Sequence, residues 1–276
     1  MKRPFCIRAL ASAIGVCILS FGTVAHANIV TLSDLNSTAT FDTQSSAGQF
    51  SWLVDGVEQI ATQWFWYRLG NNPEQSVDAL GQTNISVLDT NFNPGVDKLT
   101  VQYADNQLEV TLSLLLAGSS PGSGQADIAE QIAINNLSQT VQTVNFFQYV
   151  DFNLNGTPGG DTVTFTNDND VEQTDGPVTV TETVITPAAL RREANLAYNT
   201  LNALNAGVAT NLSNFTGPLT GPDVTWAFQW EFVLAPGQQV LISKDKHIIV
   251  PEPTAGLLLF GLATGAVIFR RRPVLG

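Results

Sequence analysis

Lys98-Leu99-Thr100-Val101-Gln102-Tyr103, a polar break over Ala104 to Gln107, and then Leu108-Glu109-Val110-Thr111-Leu112-Ser113-Leu114-Leu115-Leu116 form the stretch that decides the fold. Leu99, Val101 and Tyr103 alternate with polar neighbours, as do Leu108, Val110, Leu112 and Leu114. Strand side chains point to opposite faces with a period of two, so each run has one apolar face and one wet face, and the break between them is hairpin-sized. The pattern recurs on both sides. Phe50 to Val54 and Val57 to Leu69 flank Asp55-Gly56, a pair that supplies the positive φ angles of a type I′ turn and predicts a second hairpin. Ile128 to Asn135, Val141 to Asn153, Thr162 to Thr166, Val178 to Ile185, Asp223 to Leu234 and Gln238 to Ile249 read as further strands. The last two are joined by the proline-glycine turn Ala235-Pro236-Gly237.

One segment departs from the period of two. Thr186 can cap a helix with Pro187 in its first turn, and Leu190, Ala194, Ala197, Leu201 and Leu204 recur at helical spacing up to Gly207. This predicts an amphipathic helix over residues 187–206, lying against an edge or end of the sheets. The expected fold class is therefore all-β: an antiparallel β-sandwich, jelly-roll or supersandwich-like, with one helix. No Pro/Ser-rich linker or fixed-period repeat divides the body, so residues 28–249 read as one domain between two end segments.

Composition narrows the chemistry. Both cysteines (Cys6 and Cys17) and the only methionine lie in the first 27 residues, so the body has no thiol with which to build a disulfide, a thiolate metal site or a cysteine nucleophile. Residues 28–253 carry six bases against all 24 acids, a net charge of −18. A polyanion of that strength is a poor partner for nucleic acid or for an anionic bilayer.

The two ends read as addresses. Lys2, Arg3 and Arg8, the apolar run Ala9 to Phe21, and Ala25-His26-Ala27 are the three parts of a secretory signal peptide, with signal peptidase expected to cut after Ala27. At the other end, residues 250–276 hold Pro251-Glu252-Pro253, sixteen uncharged residues from Thr254 to Phe269, and Arg270-Arg271-Arg272. Sixteen residues at 1.5 Å each make a helix about 24 Å long, short for a bilayer core of about 30 Å. The arginines hold it with the body outside the inner membrane, which the chain is then expected to engage only transiently.

Triplet, apolar helix and arginine block, in this order, resemble the PEP-CTERM sorting tail. That resemblance implies recognition and processing by a membrane-embedded exosortase, a double-envelope bacterium that makes exopolysaccharide, and delivery to the cell surface or extracellular matrix. Trp52-Leu53-Val54-Asp55-Gly56, Gln63-Trp64-Phe65-Trp66-Tyr67-Arg68, Trp226-Ala227-Phe228-Gln229-Trp230 and Ser243-Lys244-Asp245-Lys246 resemble the recurring core of an uncharacterised β-rich passenger family, which brings no activity with it.

Three constellations bear on chemistry. Asp151-Phe152-Asn153-Leu154-Asn155-Gly156 places side-chain oxygens of Asp151, Asn153 and Asn155 at every second position before a glycine, a spacing that suits Ca²⁺. Asp161, Asp168 and Asp170 could add charge, but the run lacks the glutamate that closes an EF-hand loop and also fits a solvated Asn/Asp/Gly turn. Trp64 and Trp66, with Trp226, Phe228, Trp230 and Phe232, form aromatic rows. Exposed, they would be a sugar platform; buried, they fill the space between two sheets, and four successive aromatics from Trp64 to Tyr67 favour burial. His247, the body's one histidine, lies near Asp245 and reads as a surface residue, and most of the acids read as solubilising charge. The expectation is a non-catalytic surface or matrix protein associated with exopolysaccharide, without a catalytic residue. The alternative is a carbohydrate-binding module or glycan-acting enzyme of sandwich fold.

Overall fold

A computed structural model describes residues 29–251. The signal-peptide positions Ala25 and Ala27, the apolar stretch 254–269, and Glu252, Pro253, Arg270, Arg271 and Arg272 lie outside the described residues. Among those described, no helix is long and apolar enough to cross a membrane.

The strands are β1 (Ile29–Asp34), β2 (Ser37–Asp42), β3 (Gly48–Val54), β4 (Val57–Glu58), β5 (Ile60–Leu69), β6 (Gln75–Ser76), β7 (Gln82–Leu88), β8 (Lys98–Ala104) and β9 (Leu108–Gly118). There follow β10 (Gln125–Asn136), β11 (Gln142–Phe152), β12 (Thr162–Phe165), β13 (Asp170–Asp175), β14 (Val178–Thr186), β15 (Arg191–Leu196), helix α1 (Asn199–Leu204), β16 (Leu219–Thr220), β17 (Val224–Leu234) and β18 (Gln239–Ile249). They make two nine-stranded sheets packed as a sandwich. The first runs β1-β2-β3-β5-β11-β17-β15, with β4 and β6 as short additions, and the second runs β16-β12-β13-β14-β18-β10-β9-β8-β7. Every pairing is antiparallel except the brief contact of β3 with β5.

The deciding hairpin forms as read: β8 and β9 pair from Lys98↔Leu115 to Ala104↔Glu109, with Leu99, Val101, Tyr103, Leu108, Val110, Leu112 and Leu114 all buried. The Asp105 side chain holds its turn by accepting the Gln107 and Leu108 N–H groups. The Asp55-Gly56 turn also forms, with φ of 49° and 81°. Its second arm, however, is only the two-residue β4, because the Glu58 carboxylate takes the N–H groups of Trp52, Gln59 and Ile60. The chain then turns away, and β5 pairs along most of its length with β11.

The predicted helix over residues 187–206 is a correction. Arg191–Leu196 adds to the edge of the first sheet as β15, paired with β17, and only Asn199–Leu204 is helical. Leu190 is 56 % exposed, so the apolar stripe is not used as a stripe. Ladder bonds to β17, together with burial of Glu193 under the Ser213 N–H and the Thr200 and Asn195 side chains, outweigh local helix propensity.

At the centre of the sandwich the two sheets meet through charge. Lys244 and Lys246 occupy inward positions of β18 where its period calls for apolar residues, and both are at most 1 % exposed. Lys244 Nζ bonds Glu130, through a very short contact, and Glu182 Oε1 at 2.9 Å; Lys246 Nζ bonds Glu130. The other sheet supplies the remaining partners. Gln63 Nε2 donates to Glu130 at 2.7 Å, while Gln148 Nε2 and Trp226 Nε1 donate to Glu182 Oε2 at 3.2 and 3.1 Å. Lys244 also sits 5.2 Å from the Phe65 ring centroid. Burial alone would raise the Glu130 carboxyl, but the two ammoniums pull it down to about 2. Burial likewise disfavours charge on Lys244, and its two carboxylates more than compensate.

Removing one charge of such a buried set strands the others, at a cost of about 3–5 kcal/mol. For a domain of this size, Lys244→Met is expected to lower the melting temperature by roughly 6–20 °C. Adding Glu182→Gln removes the stranded charge while keeping an acceptor for Gln148 and Trp226, so thermal unfolding of the double variant should recover part of the loss. Equal stability of wild type and Lys244→Met would show that the cluster contributes nothing.

Candidate functional site

The first sheet has two buried faces. Phe65, Phe146, Gln148, Phe152, Trp226, Phe228 and Trp230 point toward the second sheet. Trp64, Trp66, Arg68, Asn145, Phe147, Tyr149 and Gln229 point the other way, where residues 199–215 fold over much of that face. Trp66 Nε1 reaches Asn205, Arg68 binds Glu74, the Thr210 carbonyl and Asn211, and Gln229 binds Asn145 and Asn211. The Arg68 guanidinium also lies 5.5 Å from the Phe147 ring centroid. All five tryptophans are at most 1 % exposed, so the aromatic rows are core and the exposed sugar platform is absent among the described residues.

His247 pairs across the strands with Asp127, Nδ1 to Oδ1 2.7 Å, and Asp245 is not the partner it binds. The pair stands part-exposed on the outward face of the second sheet. The acids are less superficial than composition suggests. Asp34, Glu74, Asp97, Glu130, Asp151, Asp161, Glu182 and Glu193 are buried, so a third of the 24 acids serve internal bonding.

Three of the acids converge at one end of the sandwich. Asp151, the last residue of β11 to pair with β17, is opposite Thr225 and only 2 % exposed. Tyr149 Oη donates to its Oδ2 at 3.2 Å, while Oδ1 has no partner. Loop 153–161 returns against loop 221–223, the Gly160 N–H donating to the Gly221 carbonyl at 3.3 Å. This brings Asp161 and Asp223 near. Gln173 Nε2 clamps Asp161 Oδ2 and the Phe152 carbonyl. Asn153 Oδ1, Asp161 Oδ1 and Asp223 Oδ1 are buried and unpartnered like Asp151 Oδ1. Burial, then the charges of Asp223 and Asp161, push the Asp151 carboxyl up to about 7 against the Tyr149 bond. Burial, aided by Asp175 and Asp223, raises Asp161 to about 6.

Of the sequence-predicted calcium residues, Asp151 and Asn153 thus stand at one corner. Asn155, at φ 60°, turns its amide to Asp175 Oδ2 at 3.0 Å. Asp168 pairs with Arg192 and Asp170 with Asn167, away from this corner. Asp223 was missed because the register that brings it in is a property of the β11–β17 ladder and leaves no local spacing signal.

Pro251, the one described residue of the proline triplet, is exposed. Val250 donates its N–H to the Gly124 carbonyl at 2.7 Å, and Gly124 lies so near that a Cβ would meet the Val250 oxygen at 1.6 Å. Val54, Asp55, Val57, Gly122, Gly124, Val250 and Pro251 line a concavity of about 270 Å³ there. A second, of about 120 Å³, lies beside Tyr67 and Asp105.

No family model and no curated protein matches the chain. Solved structures do. A bacterial glucoamylase complexed with acarbose matches with a TM-score of 0.54 at 8 % identity, over 86 % of this chain and 33 % of that one. A galactose mutarotase-like protein from Lactobacillus casei ATCC 334 matches at 0.47 and 8 % identity, over 80 % of this chain and 99 % of that one. A polysaccharide lyase matches at 0.45 and 11 % identity, over 80 % and 32 %. The chain spans about a third of the length of the glucoamylase. At such identity the likeness is one of fold.

A carboxyl raised on folding binds more protons in the folded state between its unfolded and folded pKa values. Stability therefore falls as pH rises through that window, here from about 4 to about 7. For Asp151 the loss is on the order of 4 kcal/mol. In EDTA, Asp151→Asn should melt above wild type at pH 8, with the gap closing at pH 4. A gap independent of pH would show that Asp151 does not titrate in this range.

Proposed function

We propose that this chain is exported, cut at its proline-bounded tail by a membrane-embedded processing enzyme of the exosortase type, and released as a non-catalytic component of the cell surface or exopolysaccharide matrix. The observation that carries the reading is the order of addresses around the body: a three-part leader, then Pro251-Glu252-Pro253, an apolar stretch too short for a comfortable span, and Arg270 to Arg272. The exposure of Pro251 just beyond the end of β18 supports it, since a protease needs an accessible, extended segment and prolines disfavour helix there. The burial of all five tryptophans weighs toward a structural body, because their rings are spent on the core and are not offered to a sugar.

A second reading keeps the carbohydrate connection. Fold likeness to part of a glucoamylase bound to acarbose supports glycan contact on a surface of the sandwich, by analogy of fold. Polar strand faces would then contact polymer chains weakly and at many points.

Intact mass of the protein recovered from the cell surface or medium tests the fate. The expected mature chain begins at Asn28 and ends at or near Pro251-Glu252-Pro253, while Glu252→Ala leaves the chain uncut and membrane-bound. Recovery of wild-type chain still carrying Arg272, firmly in the inner membrane, would make the tail an ordinary anchor. Co-sedimentation of the mature chain with purified exopolysaccharide separates the two readings: tight saturable retention favours the glycan-binding one.

A further inference from the structure

The corner where β11 meets the start of β17 has a register that the ladder itself fixes. Asp151 opposes Thr225 at the last pair of the ladder, Asn153 follows it where the chain leaves β11 for the turn at Leu154–Gly156, and Asp223 immediately precedes β17, close enough for its charge to act on Asp151. Asp151 Oδ1, Asn153 Oδ1 and Asp223 Oδ1 are each buried with no hydrogen-bond partner. Buried acceptors are nearly always paired, and three orphans at one register corner, two of them on carboxylates that repel one another, are a set from which a positive group is missing. Asp161, with its own unpartnered Oδ1, deepens the negative field from the neighbouring loop.

We propose that Asp151, Asn153 and Asp223 bind one Ca²⁺ ion, each contributing its orphaned oxygen, with the remaining coordination supplied by water. Two carboxylates and an amide carbonyl are hard oxygen donors. Calcium accepts six to eight of these in loose geometry, whereas magnesium demands a near-ideal octahedron and sheds water reluctantly. With only two carboxylates and an amide from the protein and water completing the shell, the site belongs to the weak class, with a Kd of about 10⁻⁴–10⁻³ M. The ion would join the end of β11 to the loop that starts β17, and would relieve the repulsion between Asp151 and Asp223.

The test is thermal melting of the full chain at pH 8, in EDTA and in about 10 mM CaCl₂, with calorimetric titration of CaCl₂ alongside. Wild type should gain about 3–10 °C in calcium. Asp223→Asn, at a part-exposed position before the strand, and Asn153→Ala should each lose most of that gain. Asn155→Ala, whose amide faces Asp175, should keep it. Three results would overturn the site: no gain and no binding heat for wild type, the same gain in Asp223→Asn, or an equal gain with MgCl₂, which would mean screening of a general acidic surface. Calorimetry on wild type decides the matter even if a variant fails to fold.

Discussion

Two lysines on an inward face govern the way this sandwich closes. A β18 with apolar residues at 244 and 246 could slide against the opposite sheet, because hydrophobic contact is not directional. Lys244 and Lys246 require Glu130 and Glu182 on the flanking strands of their own sheet, and those carboxylates take their remaining donors from Gln63, Gln148 and Trp226 on the other. The cluster is charge-balanced and, at its core, dry. Its worth to net stability is modest by comparison with an apolar replacement, since desolvating four charges is expensive. What it supplies is one relative placement of two large sheets, because a shift of one residue in any of these strands would turn a charge outward and leave its partner buried.

The same placement explains where the aromatic side chains went. Phe152 stacks on Trp226 with ring centroids 5.3 Å apart, and Phe65 stacks on Phe146 at 5.7 Å, directly around the charged centre. Rings of this size fill the gap between sheets and exclude water from the ion pairs, which strengthens them. On the opposite face of the first sheet, residues 199–215 and Arg68 do for Trp66 and Phe147 what the second sheet does for the inner row. A face that would otherwise be open is closed by the chain's own polar segment.

Much of this was legible in the sequence. Period-two alternation placed β8, β9, β10, β14 and β18 within a few residues, because each has one face turned to the core and one turned outward, while β11 and β17, buried on both faces, showed as long apolar and aromatic runs. β1 and β7 were not legible, since edge strands carry weak patterns, and neither was β2, whose six residues are mostly Ser, Thr and Ala. The stretch 187–206 misled because helix propensity is local and an edge strand's stabilisation is not. Lys244 and Lys246 were visible as part of a recurring core motif, but a lysine at an inward position reads as a solvated one until its carboxylate partners, more than sixty residues away in sequence, are located. The Asp151 corner was half visible: Asp151 and Asn153 from local spacing, Asp223 only from the ladder.

The strand that carries the charge cluster is also the strand from which the tail departs. β18 is central in its sheet, pairing with β10 over eleven residues from Gln125↔Ile249 to Asn135↔Gln239 and with β14 on its other side. Tension applied to Val250 would run along β18, so its ladder bonds on both flanks are loaded in shear together instead of opening one at a time. Shear would also drag Lys244 and Lys246 past Glu130 and Glu182, breaking buried ion pairs that have no water to replace them. An edge strand would peel from such a pull. Under such a pull a central strand anchored by buried charge is the attachment least able to unravel, and this gives the inward lysines a mechanical consequence that leucine or valine at the same positions would lack.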